Sequence, residues 1–460
     1  MKLLSEDISE SSQEFFRFGE LGSFVRSVVP SPNLGCVCEV DHIKPSVWFY
    51  LSRISGRKSL FPHLQELHWF IEEPSDTELL LVASSSLRRL FVCYGGCGTI
   101  SREWSLSQSM LFRKTFNTVP HLTHLTIYDT GTGGAMFSAC LSNSNIDMLR
   151  NLRRVSLDEE ESVNLDVLRS LSFLESLEEL TIGIDSIDDV DFVGFPALTK
   201  LSVTGAMSGT SPQVFNAFSS PHLRELTVCD RSRWTDTDNL LATSTTLTQR
   251  FPSIADLSLF LCAPLRAGAS GASLEAALAP LFPLPIAKFS LKIQNSFVWP
   301  LADDFFTTLA QSWHHLRELS IVVPHHRSDP VLSDIISTQT LLALTRGCPQ
   351  LHALRLPEMA VPQLGESGTF PVLQHPLRSL ALDSLVEVLP ADGQRLTDEE
   401  KCTEFALVLD KLFPELDTRN APPGERPPPD LWKRILSGVR LCQLGRSNRV
   451  VQAEGAASHS

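Results

Sequence analysis

The sequence predicts an open α/β solenoid of stacked repeats, each a short strand, a loop, a helix and a return. Three observations predict it. The first is a recurring pattern of a leucine, two variable residues, an aliphatic, one variable residue and a second aliphatic. It begins at Leu64/Leu67/Trp69 and continues at Leu87/Leu90/Val92, Leu122/Leu125/Ile127 and Leu152/Val155/Leu157. It recurs at Leu177/Leu180/Ile182, Leu198/Leu201/Val203, Leu223/Leu226/Val228 and Ile254/Leu257/Leu259. The last instances are Ile286/Phe289/Leu291, Leu316/Leu319/Ile321, Leu351/Leu354/Leu356 and Leu377/Leu380/Leu382. The second is helical spacing between these cores, and the third is a proline beside an aromatic or His just before many of them. The anchors lie about 28 residues apart on average, at the long end of the leucine-rich-repeat range. The predicted fold is therefore a leucine-rich-repeat solenoid: a right-handed horseshoe with a parallel concave sheet, irregular repeats and a helical C-terminal cap.

In chain order, residues 1–60 lack the repeat and read as an N-terminal helical segment. Phe15, Phe16, Phe18, Leu21, Phe24 and Val25 suggest one helix, and Val47–Ile54 another. Residues 61–390 are the array, whose inward aliphatics alternate with outward positions as strand geometry requires. Helices are predicted between cores at Asp166–Leu174, Ser211–Phe218, Ser273–Leu281, Asp303–Trp313 and Leu332–Thr345. Phe61-Pro62-His63, Pro120-His121, Phe195-Pro196, Pro221-His222 and Phe251-Pro252 precede strands, because proline ends a helix and favours an extended entry. The asparagine that many such repeats place beyond the last aliphatic is missing; Gly95, Thr130, Glu160, Asp185, Arg231 and Gln294 stand there instead. Residues 391–445 form the cap. Thr397-Asp398-Glu399-Glu400 is a capping box opening a helix with Cys402, Phe405, Leu409 and Leu412 on one face. After a proline-rich link, Trp432, Ile435, Leu436, Val439 and Cys442 line a second helix, and residues 446–460 read as a disordered tail.

Composition narrows the function classes. The apolar fraction of 43% can supply a continuous core and is too high for general disorder. A net charge of −14 and a pI near 5.4 argue against nucleic acid or an acidic membrane as the principal partner. No apolar run approaches a bilayer span, and the acidic start is unlike a secretory signal. The scattered cysteines, several at apolar-equivalent sites such as Cys229, Cys262 and Cys402, read as buried thiols in a reducing compartment. A cytoplasmic or nuclear monomer is expected.

Specific segments resemble the fungal F-box/leucine-rich-repeat proteins. They are Leu60-Phe61-Pro62-His63-Leu64-Gln65-Glu66-Leu67, the Phe-Pro-x-Leu strand entries, and a C-terminal block. That block runs Phe405-Ala406-x-x-Leu409-Asp410-x-Leu412-Phe413-Pro414, then Trp432, Cys442-Gln443 and Arg446. The resemblance implies target recognition for a cullin-type ubiquitin ligase, the horseshoe holding the target protein. The family's F-box, a helical module with a Leu-Pro-x-Glu-type start, has no match in residues 1–60; Phe16–Val28 resembles the stretch that follows it. Binding to the cullin-ligase adaptor is thus expected only if an F-box is supplied upstream or hidden.

Outward positions of the strands are the candidate binding surface. The middle position is mostly a small hydroxyl: Thr126, Ser156, Thr181, Ser202, Thr227, Ser258, Ser290 and Ser320. The position before it carries Arg89, His124, Arg154, Glu179, Lys200, Glu225, Asp256, Lys288 and Glu318. Phe70, Phe91, Tyr128 and Phe260 fall on the same face, and exposed aromatics beside arginine are the usual composition of a protein-binding hot spot. Packing at the edge of the core is the competing reading of Phe70, Phe91, Arg89, His124 and Tyr128. Exit loops carry Asp129, Asp158-Glu159-Glu160-Glu161, Asp185, Asp188, Asp189 and Asp191, which would stack into an acidic ridge, read as a solvated edge ahead of a docking ridge for a basic partner segment. Later exits are more basic: Arg231, Arg233 and His325-His326-Arg327. The expected partner-binding residues are Phe70, Arg89, Phe91, His124, Tyr128, Arg154, Asp158, Glu179 and Lys200.

Catalytic look-alikes fail on chemistry. Asp129-Thr130-Gly131-Thr132 mimics an aspartic-protease turn but lacks the second Asp-Thr/Ser-Gly that would share its proton. Cys36-x-Cys38, Cys93-x-x-x-Cys97 and the pairs His314-His315 and His325-His326 lack zinc-site spacing. The glycine clusters at 95–98 and 131–134 lack the Lys-Ser/Thr of a phosphate loop. No catalytic residue, cofactor or metal is expected.

Overall fold

The computed structural model describes residues 20–28, 45–54, 59–71, 77–94, 102–129, 135–157, 162–184, 190–205, 211–232, 235–262, 265–266, 268–270, 272–294, 301–323, 336–363, 365–386, 397–419 and 430–457. The chain forms two compact units, Met1–Ala206 with Gln213–Leu223, and Met207–Pro212 with Arg224–Ser460. Each is an open, all-parallel α/β solenoid.

The first unit contains β1 (Ser27–Val28), β2 (Glu66–Ile71), β3 (Arg89–Tyr94), β4 (His124–Asp129), β5 (Arg154–Leu157), β6 (Ser162–Val163), β7 (Glu179–Ile184) and β8 (Lys200–Gly205). They pair in parallel in the order β1-β2-β3-β4-β5-β7-β8, with β6 added on β7. Strand β1 shows that the sheet starts before residue 61, within the segment expected to be only helical. Of that segment's helices, residues 20–24 and Pro45–Ile54 are helical; Phe15, Phe16 and Phe18 lie outside the described residues.

Strand formation follows from one repeated local structure. The amide of the first leucine donates back to the carbonyl three residues earlier, as in Leu64 to Phe61 at 3.1 Å and Leu122 to Val119 at 3.1 Å. The next two amides converge on one carbonyl of the preceding repeat. Arg88 and Arg89 donate to Gln65, Thr123 and His124 to Arg88, Arg153 and Arg154 to Thr123, and Glu178 and Glu179 to Arg153. This backbone ladder stitches successive turns where no asparagine ladder exists. Serine hydroxyls reinforce it: Ser86 donates to the Leu64 carbonyl at 2.8 Å, Ser176 to Leu152 at 3.0 Å and Ser220 to Leu198 at 2.6 Å. The inward aliphatics, such as Leu67, Val92, Ile127 and Leu201, are fully buried. Each contributes about 1.5–3 kcal/mol of transfer free energy.

The second unit contains β9 (Glu225–Asp230), β10 (Thr235–Asp236), β11 (Asp256–Leu261), β12 (Leu265–Arg266), β13 (Lys288–Ile293), β14 (Glu318–Val322), β15 (Ala353–Ala360) and β16 (Ser379–Val386). Parallel pairing runs β9-β11-β13-β14-β15-β16, while β10 and β12 form a separate pair. The forked backbone ladder recurs, with Ala255 and Asp256 donating to Arg224 and Arg317 and Glu318 to Ala287.

Helices Leu165–Ser172, Asp303–Ser312 and Thr338–Gly347 lie close to their predicted spans, although 332–335 fall outside the described residues. Ser211–Ala217 is a 3-10 helix, and Leu274–Leu278 passes into a 3-10 turn at Ala279–Leu281. Two long helices were not predicted. Arg102–Thr118 buries Gln108 and Thr115 beside Leu111, Phe112 and Phe116; Thr237–Arg250 buries Thr237, Thr243 and Ser244 beside Leu240 and Leu247. Hydroxyls on the buried face conceal the apolar period. Thr115 bonds within its helix, to the Leu111 carbonyl at 3.0 Å, and the Thr237 hydroxyl accepts from the Gly268 amide at 3.0 Å.

At the C-terminus, helix Asp398–Leu412 opens on the capping box Thr397/Glu400 and buries Cys402, Phe405, Leu409 and Leu412. Helix Asp430–Ala457 packs Trp432 on Phe405, ring centroids 6.2 Å apart. Gln443 donates to the carbonyls of Pro414 and Leu416, and Arg446 pairs with Asp410. The tail expected after 446 is instead helical to Ala457, since Arg446 is itself held by the preceding helix. Cys402 is buried as expected, but Cys229 and Cys262 are half-buried, their sulfurs 3.7 Å apart, because position 229 is an outward strand position. Among the described residues no helix is long and apolar enough to cross a membrane.

Candidate binding face on the first unit

Parallel pairing without register shift sets the outward residues of β2–β8 in rows. The first row aligns Glu66, Arg89, His124, Arg154, Glu179 and Lys200. The second aligns His68, Phe91, Thr126, Ser156, Thr181 and Ser202. The third aligns Phe70, Cys93 and Tyr128. Five expected residues, Arg89, His124, Arg154, Glu179 and Lys200, therefore share one row. Asp158 lies outside the described residues, as do Asp185, Asp188, Asp189, Arg233 and His325-His326-Arg327. Asp191, from the expected acidic ridge, is exposed and pairs with Arg169.

An aromatic stack crosses these rows. The His68 and Phe91 rings lie parallel with centroids 4.5 Å apart, and Phe91 meets Tyr128 at 4.9 Å. Phe91 is half-buried, whereas Tyr128 is 41% exposed and presents its ring to solvent. Phe70 is half-buried in Tyr128's row, two strands away. Phe91 thus packs between two rings, and Tyr128 is exposed at the end of the stack. His68 and Glu66 were not expected as site residues. They occupy the same outward positions in the first repeat that Phe91 and Arg89 occupy in the second, so repeat alignment was the signal.

Ion pairs bracket the first row. Glu66 holds Arg89 at 2.9 Å, and Glu179 holds Arg154 at 3.0 Å. One strand edge earlier, Arg153 pairs with Glu178 at 2.9 Å. His124 sits between the two arginines without a carboxylate in its own register position. Burial, then the Arg154 guanidinium and then that of Arg89 hold its imidazole below the ordinary value, against weaker opposition from Glu179 and Glu178. The Thr123 hydroxyl lies 3.1 Å from the Arg88 carbonyl and 2.8 Å from His124 Nδ1. It bonds Nδ1 in either imidazole tautomer, as donor or as acceptor.

The face can receive a flat apolar group on Phe91 and Tyr128 and a polar group over the arginines. Among the described residues no group of three or more His, Cys, Asp and Glu is placed to hold a metal ion. The protease-like turn begins at Asp129, the last residue of β4; its Thr130-Gly131-Thr132 lies outside the described residues.

No family model matches the chain, and no curated protein matches it. Among solved structures it is similar to a chain in the crystal structure of the Rad7 and Elc1 complex in yeast. That similarity has 12% identity and a TM-score of 0.36, covering 81% of this chain and 80% of the other.

Proposed function

We propose that this chain is a non-enzymatic, intracellular protein-binding solenoid that recognises its partner on the outward face of β2–β8. The observation that carries the reading is the His68–Phe91–Tyr128 stack, turned away from the core and flanked by Arg89 and Arg154. Aromatic and arginine side chains together dominate binding energy at protein interfaces, and a rigid stack loses little entropy on binding. A repeat sheet supplies such a surface because its inner face alone carries the core.

The finer reading is target recognition for a cullin-type ubiquitin ligase. Its support is the resemblance to fungal F-box/leucine-rich-repeat proteins at Leu60–Leu67 and in the C-terminal block. Residues of that block, Phe405, Asp410, Trp432, Gln443 and Arg446, are those that interlock the two cap helices. A stand-alone interaction scaffold unrelated to ubiquitination is the second reading.

Two experiments test these levels. Affinity capture from cells with the full chain, beside Tyr128→Ser and Arg154→Gln variants of unchanged thermal midpoint, should show partners lost from the variants only. An identical set of partners on all three chains would remove this face from the function. Co-expression with the cullin-ligase adaptor should yield a co-purifying complex if residues 1–60 hold a divergent docking element. Clean expression without association would favour the scaffold.

A further inference from the structure

The geometry points to a subsite on this face: Arg89, His124 and Arg154 receive a single carboxylate, an Asp or Glu side chain of the partner, whose neighbouring aromatic or large apolar residue lies on Phe91 and Tyr128. The inference rests on the binding reading above and names the chemistry that the face selects.

The row supplies the placement. Adjacent strands stand about 4.8 Å apart, so the Arg89 and Arg154 backbones flank His124 at roughly 10 Å from each other. Both guanidiniums act on the imidazole between them, while each turns one nitrogen to the carboxylate on its far side. Both arginine side chains are more than half exposed, and each meets a carboxylate on the side away from His124: Glu66, which His68 also contacts, beyond Arg89, and Glu179 beyond Arg154. A guanidinium has five donors, and one carboxylate does not exhaust them. The middle row places the hydroxyls of Thr126 and Ser156 beside the same space.

Charge selects the ligand. Glu66, Arg89, Arg154 and Glu179 sum to zero, and Arg153 with Glu178 forms a second neutral pair. Arg88 is directed to the His121 carbonyl at the strand entrance, and Lys200 lies beyond Glu179. His124 Nδ1 is bonded to Thr123, and one further proton makes the imidazole a cation whichever ring nitrogen takes it. One carboxylate arriving together with that proton leaves the site neutral. A phosphate dianion would leave an uncompensated negative charge against Glu66 and Glu179. The proton uptake has a sign: binding strengthens as pH falls toward the imidazole's titration range, and a bound carboxylate moves that titration upward. The stack then provides the apolar half of the recognition, one strand residue further along.

The test is histidine-selective NMR of the full chain, His124 assigned with a His124→Gln variant, titrated with acetyl-Ala-Glu-Phe-Ala-amide at millimolar concentration. The expected result is an upward movement of the His124 midpoint by about one unit near saturation. The Gln-for-Glu peptide should leave it in place, and an Arg89→Gln/Arg154→Gln chain should not respond. Arg154→Gln alone serves if the double variant does not fold. No movement with the Glu peptide, an equal movement with the Gln peptide, or a response that survives loss of the arginines would overturn the subsite. A larger movement with the phosphoserine peptide would also overturn it, reassigning the row to phosphate. Failure here with partner capture still lost in Tyr128→Ser would refute the carboxylate subsite alone. Failure of both would remove the binding face.

Discussion

The outward faces of the two units are built from the same strand and the same backbone ladder, yet they carry different chemistry. In the first unit the charged row reads Glu66, Arg89, His124, Arg154, Glu179, Lys200 and borders a stack of three aromatic rings. In the second, the equivalent row reads Glu225, Asp256, Lys288, Glu318, Ala353, Ser379, and its middle row is Thr227, Ser258, Ser290, Ser320, Arg355, Ala381, with Arg355 paired to Asp383. Its aromatic, Phe260, aligns with Cys229 and Lys292 rather than with other rings. The inner faces show no such contrast: Leu180 and Ile182 are buried in one unit as Leu319 and Ile321 are in the other. A repeat constrains inward residues by packing and leaves outward residues to vary. A local departure from small hydroxyls, as at Phe91, is therefore where function is to be sought.

The largest effect should come from the shared side of this comparison. Leu180→Ala and Leu319→Ala each delete a residue 1% exposed, and each should cost about 2–5 kcal/mol of unfolding free energy. Urea unfolding of the full chain, followed by probes in each unit, measures both. If one substitution proved nearly silent, the inner faces would not be equivalent and the contrast between the outer faces would lose its baseline.

How far the chain could be read in advance follows the same division. Every predicted strand has its place in the sheets because an inward leucine is required at each repeat, so the pattern survives irregular spacing. The long helices Arg102–Thr118 and Thr237–Arg250 were hidden by threonine, serine and glutamine on their buried faces, which interrupt the apolar period. The first row of the candidate face was legible from alternation along the strands. The stack was not, since only register sets His68 beside Phe91, and only side-chain geometry turns Phe91 toward Tyr128. The setting of His124 depends on Thr123, whose hydroxyl also reaches the Arg88 carbonyl of the preceding repeat, a contact that no periodicity encodes.

A middle-sized effect sharpens the contrast on the outward faces. Phe91→Leu keeps an apolar group but removes both ring contacts, and it should cost about 1–2 kcal/mol, since each aromatic pair is worth roughly 0.5–1.5 kcal/mol beyond area. Phe260→Leu, in the second unit, has no ring neighbour in its row and should cost under about 1 kcal/mol. Thermal melts of the two variants decide. Equal losses would mean that Phe91 is ordinary packing and that its stack is not a special feature of the first unit.

The smallest effect concerns protons, and the two faces should respond with opposite sign. Burial and two guanidiniums keep the folded His124 from taking a proton, so nothing is lost above its unfolded value of about 6.5. Below that value the unfolded chain gains a proton that the fold resists, and stability falls. In the second unit burial raises Asp256 above the ordinary carboxylate value, with Glu225 and Glu318 adding to it and Lys288 opposing. The folded Asp256 therefore holds its proton longer than the unfolded one. Its penalty is complete at neutral pH and disappears as pH falls below the unfolded value of about 4. Asp256→Asn should accordingly stabilise the chain at pH 7 by roughly a few tenths of a kcal/mol, because water screens a partly exposed group, and should do nothing below about pH 4. His124→Gln should be neutral at pH 8 and protective near pH 5.5. Denaturant midpoints of both variants across that range measure the two slopes. If Asp256→Asn destabilised the chain at pH 7, the Lys288 attraction would outweigh desolvation, and the two faces would not differ in this respect.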